Sequence, residues 1–139
     1  MKILQINSHY NQGGAARIVA CIHRQLLRTG EESYVAFGRG RVPEEPNIYR
    51  IDKPAEIYIS ALESRVTGIN GWGNRAAAKR LIRFMEKVRP DVVHMHTLHG
   101  YYVNLPMLFR YLNVRQIPCV WTFHDCHAFV GNCGYYFAC

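Results

Sequence analysis

Apolar positions along the chain follow two periods, and the period switches repeatedly. Residues 3–7, Ile-Leu-Gln-Ile-Asn, form a short run of apolar and amide side chains that reads as a strand. From Gly14 to Thr29 the apolar positions are Ala15, Ile18, Val19, Ile22 and Leu26, the spacing of one helical face. Gly30 follows, where a left-handed cap suits the end of a helix. Residues 33–38 read as a second strand. A loop rich in Gly, Pro and charge leads to a short third strand at 48–51.

Pro54 opens a second helix over 54–67, with Ile57, Tyr58, Ala61, Leu62 and Val66 expected inward. The run GINGWGN, 68–74, breaks it. A third helix, 75–89, carries Ala78, Leu81, Ile82, Met85 and Val88 on one face and stops before Pro90. Residues 91–96 form a fourth strand. Asn104 caps a fourth helix whose Leu105, Leu108, Phe109 and Leu112 are expected to point inward. Pro118 then leads into CVWTF, 119–123, read as a last buried strand.

The order β-α-β-β-α-α-β-α-β with short links predicts an α/β fold, a Rossmann-like parallel sheet with helices on both faces. In such sheets ligands collect beyond the carboxyl ends of the strands. The loops to inspect are therefore those after the strands, SHYNQGG, GRGRVPEEPN, HTLHGYY and HDCHAF.

Composition narrows the class. The chain has 139 residues, of which 49% are apolar or aromatic and 19% charged, which suits one globular domain. The start, MKILQIN, is too short and wrongly flanked for a signal peptide, so a cytoplasmic protein is expected. The formal net charge of +7 favours anionic partners. Arg75, Lys79, Arg80, Arg83, Lys87 and Arg89 crowd one helix against Glu86 alone. That is a solvated face, or a peripheral contact with a membrane surface. Nucleic-acid binding fits the charge but has no recognised motif here, so no nucleic acid is expected.

The five cysteines without a secretory signal argue against a disulfide framework. Cys21 and Cys119 sit in apolar segments and are expected to be small core residues. Cys126, Cys133 and Cys139, with His127, are spaced unlike paired zinc ligands. They read as buried thiols, or as part of a metal set, and no metal is expected.

Gly13 and Gly14 stand after the first strand at the mouth of the first helix. Backbone there approaches a ligand closely, and the free N–H groups favour an anion such as a phosphate. Arg17, one turn in, adds a charged fork. The alternative is a tight turn that merely needs glycine. His94, His96 and His99 cluster at the end of the fourth strand, with His94 and His96 on one face. His99, Tyr101 and Asn104 suit sugar hydroxyls or a neighbouring element. His124 and Asp125 fall at the tip of the last strand. An imidazole there exchanges a proton near neutral pH or bonds a hydroxyl, while Asp125 orients a ring or caps the next turn.

The Gly-Gly loop, PDVVHMH, HGYY with the following NLP, and WTFHDC together resemble the N-terminal domain of bacterial GT-B glycosyltransferases. The resemblance is to the retaining, family-4-like group of polysaccharide and glycolipid synthesis, and it runs over nearly the whole chain. It implies two Rossmann-like domains with the site in the cleft between them. Residues 1–139 would be the acceptor-side domain, and the nucleotide-binding C-terminal domain would lie outside them. It implies that Gly13 and Gly14 approach the donor diphosphate and that His124 touches the transferred sugar or its acceptor. The expected partners are a nucleotide-sugar donor and a saccharide or lipid-linked acceptor, with no further cofactor. The expected location is the cytoplasm, at large or at the inner membrane face. The domain alone is expected to be inactive, and an uncovered face invites self-association. A stand-alone module for a phosphorylated small molecule is the alternative.

Overall fold

A computed structural model describes residues 1–130. Its elements are β1 (Lys2–His9), α1 (Gly14–Arg28), β2 (Glu32–Arg39), β3 (Ile48–Arg50), α2 (Pro54–Thr67), α3 (Arg75–Val88), β4 (Val92–Met95), α4 (Leu105–Val114), β5 (Cys119–Trp121) and α5 (His127–Val130). The five strands form one sheet in the order β3-β2-β1-β4-β5, and every pairing is parallel. This is the Rossmann-like sheet expected. Its strand order reverses between β1 and β4, which marks the switch point where doubly wound sheets open a crevice.

Alternation along the strands builds two cores. Leu4, Ile6, Ala36, Val93 and Met95 face α3 and α4, where Ala78, Leu81, Met85, Leu108 and Leu112 meet them. Val35 and Phe37 face the other way, onto Tyr10 and onto Val19 and Ala20 of α1. Helices therefore cover both faces.

The helix ends obey local chemistry. Gly30 adopts φ 82°, and the Gly30 and Glu31 N–H groups donate to the Leu27 and Leu26 carbonyls. That is the paired bonding of a Schellman cap. Asn74 and Asn104 side chains cap α3 and α4 by accepting from Ala77 and Met107 N–H. Arg89 takes the left-handed position after α3, just ahead of Pro90.

Several burial expectations are corrected. The buried stripe of α1 is Ala16, Val19, Ala20 and His23, so Ile18 and Cys21 lie on the exposed side. A polar residue holds the stripe because His23 bonds the Ser33 hydroxyl at 2.8 Å and the Pro46 carbonyl at 3.1 Å. In α2 only Ser60 is buried, and Tyr58, Leu62 and Val66 are exposed. That helix is held from its polar side instead, where Glu56 pairs with Arg80 of α3. The strand β5 is at the sheet edge. Cys119 and Val120 are consequently exposed, as is Phe109 on α4. Cys133 and Cys139 lie outside the described residues.

Candidate functional site

The parallel order puts the loops after β1, β4 and β5 on one edge of the sheet, side by side across the switch point. Two amides of β1 explain why this central strand is not wholly apolar. The Asn7 Oδ1 accepts from the Thr97 N–H at 3.0 Å, and its Nδ2 donates to the His9 carbonyl at 2.7 Å. Gln5 is fully buried, and its Nε2 donates to the Val19 carbonyl of α1 at 3.3 Å. Unpaired in that core, each amide would be costly, so these bonds fix where the β4 loop sits.

Gln5 starts a chain of bonds that ends at His124. The Val19 carbonyl only accepts, so it fixes the Gln5 amide with its oxygen toward His96. His96 Nε2 lies 3.3 Å from that oxygen and must donate to it. His96 is 2% exposed, and burial pushes its imidazole down to about 3, with His94 and His124 adding to the effect. It is therefore neutral at pH 7, with its one proton on Nε2 and a lone pair on Nδ1. His124 Nε2 stands 3.0 Å from that lone pair and must supply the hydrogen. The neutral His124 ring then carries its lone pair on Nδ1, which no described residue bonds. His94, with its ring centroid 4.0 Å from that of His96 and tilted by 37°, is tied to the Thr122 hydroxyl at 2.8 Å.

His99 and Asp125 make a second pair, Nε2 to Oδ2 at 2.8 Å. Burial pushes the Asp125 carboxyl up, but the His127 N–H and the His99 ring outweigh it and hold the group low. The carboxylate is thus ionised and both orients His99 and caps α5 through the His127 N–H at 3.0 Å. His124, Asp125, His99 and His96 line a cavity of about 220 Å³ with Trp121 and Phe123. Asn70 Oδ1 and His127 Nδ1, from two further lining residues, are buried polar atoms with no partner among the described residues. The volume falls below the roughly 300–1,000 Å³ of complete small-molecule pockets, as one wall of a larger cleft would.

Gly13 takes φ 86° at the start of α1, and no side chain caps that end. A Cβ on Gly13 or Gly14 would meet nothing within 4 Å, so local packing does not demand glycine at Gly14. The turn follows β1 as His124 follows β5, so both belong to the carboxyl edge of the parallel sheet. Arg17 is exposed one turn in, and its side chain makes no bond among the described residues. Burial, then Arg39 and His99, lower His9 at the end of β1, which places these three groups close together.

Two other sequence candidates lie elsewhere. Tyr101, at φ 65°, lines a separate groove with Arg39 and Arg50. Asn104 is buried and bonds Met107 N–H and the Trp72 carbonyl, so its amide is used within the fold. Among the described residues no three His, Cys, Asp or Glu side chains are arranged to hold a metal ion. Sequence reasoning missed Gln5 and the roles of His96 and Asn70. A polar side chain amid the apolar run of β1 was the available signal for Gln5.

The domain is thus a doubly wound α/β sheet with an imidazole, His124, and a glycine turn, Gly13–Gly14, each following a strand of the same parallel sheet. The model of Glycosyltransferase Family 4 matches residues 12–137, and the chain belongs to that family. It is similar to a putative colanic acid biosynthesis glycosyl transferase, WcaC, of Escherichia coli strain K12, at 26% identity over 151 aligned positions. That alignment takes in all of this chain and 37% of the relative, so the chain spans little more than a third of that protein's length.

Proposed function

We propose that this domain is the acceptor-side half of a glycosyltransferase. It would move a sugar from a nucleotide-sugar donor to a saccharide or lipid-linked acceptor. The observation that carries the reading is the His124 ring, held by His96 on the same sheet edge as the open Gly13-Gly14 turn. Family membership supports glycosyl transfer in general, and the name of the relative points toward polysaccharide synthesis.

In the reaction the bond between the sugar's anomeric carbon and the donor diphosphate breaks. A bond to an acceptor oxygen forms, and that hydroxyl loses its proton. The N–H groups of Gly13, Gly14 and Ala15 supply fixed dipoles for the charge gathering on the departing diphosphate. His124 Nδ1 accepts a hydrogen bond from a sugar or acceptor hydroxyl. Asp125 and His99 bond neighbouring hydroxyls, and Trp121 gives the sugar ring an apolar face. Arg17 adds positive charge beside the glycine turn. Nucleotide recognition falls to a second domain, so the domain alone binds weakly and does not turn over.

Sugar transfer from a panel of nucleotide sugars tests this, run in parallel on this chain and on the longer protein that contains it. Transfer by the longer protein and none by the chain is the expected result. Clear turnover by the chain alone overturns the half-site reading.

A further inference from the structure

The cavity beside His124 contains two polar atoms that the fold itself does not use. Asn70 Oδ1 and His127 Nδ1 are sealed from solvent without a partner among the described residues, and both residues line the same space of about 220 Å³. Buried polar groups are nearly always bonded, so two orphans in one cavity mark groups kept for a ligand.

Neither residue is loosely placed. Asn70 stands in the segment between α2 and α3, and the residues after it are clamped onto the start of α4. The Leu105 N–H donates to the Gly71 carbonyl at 2.7 Å, and Asn104 Nδ2 donates to the Trp72 carbonyl. Gly71 takes φ 80°, and a Cβ there would stand 2.7 Å from Leu105 Cδ1, so the segment packs tightly on that side chain. His127 is held from two sides. Its N–H donates to Asp125 Oδ1 at 3.0 Å, and its ring meets the His99 ring edge-on with centroids 4.9 Å apart. Groups fixed in this way lose little freedom when a ligand arrives.

The lining narrows the ligand. An amide oxygen only accepts, so Asn70 Oδ1 needs a hydrogen from the ligand, while His127 Nδ1 gives or takes one according to its tautomer. A hydroxyl, with one hydrogen and two lone pairs, answers both atoms. Leu98, Leu105, Trp121 and Phe123 supply apolar wall. No lysine or arginine lines the cavity, and its one carboxylate, Asp125, already bonds the His127 N–H and the His99 ring. A ligand carboxylate or phosphate would lose its hydration there with no fixed positive charge to offset the loss.

We infer that Asn70 and His127 are the specificity-determining contacts of this cavity, reading hydroxyls of an uncharged sugar and excluding sugars that bear a carboxylate or phosphate. The choice of a sugar as ligand rests on the sugar-transfer reading, whereas the two orphaned atoms stand apart from it.

Saturation-transfer NMR on this chain tests the inference with methyl glucoside, methyl galactoside and methyl mannoside, set against methyl glucuronide. At least one neutral glycoside should bind, and the glucuronide should not. Asn70→Ala and His127→Phe should each weaken that glycoside by roughly tenfold, as the loss of one hydrogen bond between uncharged partners does. Monodeoxy forms of the glycoside identify the hydroxyl that Asn70 reads. Its removal should weaken binding to the parent and have no further effect in Asn70→Ala. Because Asn70 Oδ1 is unpartnered in the free protein, Asn70→Ala should hold or slightly raise the melting temperature, where a structural role would lower it. The inference is overturned if no neutral glycoside binds, if the glucuronide binds as tightly, or if both variants keep the parent affinity. A marked fall in the melting temperature of Asn70→Ala also overturns it. Binding with these losses, but no transfer by the longer protein, would remove the sugar-transfer reading and leave this inference standing. Transfer by the longer protein with KM unchanged in both variants would do the reverse.

Discussion

His96 Nδ1 and His124 Nε2 stand 3.0 Å apart, and the two rings stack at 16° with centroids 5.3 Å apart. One partner is nearly sealed from solvent and the other opens on the cavity. The buried ring sets the proton position of the exposed one. Long-range proton–nitrogen NMR on the neutral imidazoles checks this. His124 should appear as the Nε2–H tautomer, and His96→Phe should release it toward a mixture. A dominant Nδ1–H form of His124 in the unaltered chain contradicts the bond order deduced from Gln5.

Gln5→Leu removes the acceptor that His96 Nε2–H needs and leaves both His96 and the Val19 carbonyl short of a partner. Such a loss in a core costs about 1–3 kcal/mol. Denaturant unfolding should show that drop, with more of it recovered in a Gln5→Leu, His96→Leu double variant than additivity allows.

Acid should destabilise the fold in a defined window. An unfolded histidine takes a proton near 6.5, while buried His96 resists until about 3. Between those values the unfolded state binds more protons, so stability falls as pH falls, by about 1.4 kcal/mol per unit for this site. His94, shifted the same way by burial, adds to it. Asp52 acts oppositely, because burial raises its carboxyl to about 6, so the folded state takes up its proton first on acidification. His96→Gln should flatten the stability profile between pH 6.5 and 3, measured by denaturant unfolding at fixed pH values.

Two glycines separate structure from function. A Cβ at Gly38 would collide with the buried Tyr102 ring, so Gly38→Ala should destabilise the domain by about 3 kcal/mol or more. Gly14 has open space around it and no left-handed backbone. Gly14→Ala should hold or slightly raise the melting temperature. In the longer protein it should still raise KM for the donor, because the methyl stands where the diphosphate is expected.

Much of the fold was legible because parallel sheets with crossover helices impose strong periods. Gly30, Asn104, Pro54 and Pro90 mark helix ends by chemistry that acts within a few residues. Burial was less legible. Ile18 and Leu62 have the right spacing for a core, yet spacing alone does not say which helical face meets the sheet. His23 shows why, since a histidine paired with Ser33 occupies the α1 core while Ile18 does not. The site was legible in part. His124 and Asp125 stand out as candidates from their place at a strand tip. Their partners His96 and His99 are 28 and 26 residues away, and only the β4–β5 pairing brings them together. Asn104 looked available for a ligand because a sequence does not reveal that both ends of an amide are already engaged.

Kinetics of the longer protein with His124→Ala test the central claim most directly. Sugar transfer from the preferred nucleotide sugar should fall by about 10²-fold or more in kcat/KM, with the variant as stable as the parent. Transfer at the parent rate by His124→Ala would contradict the account.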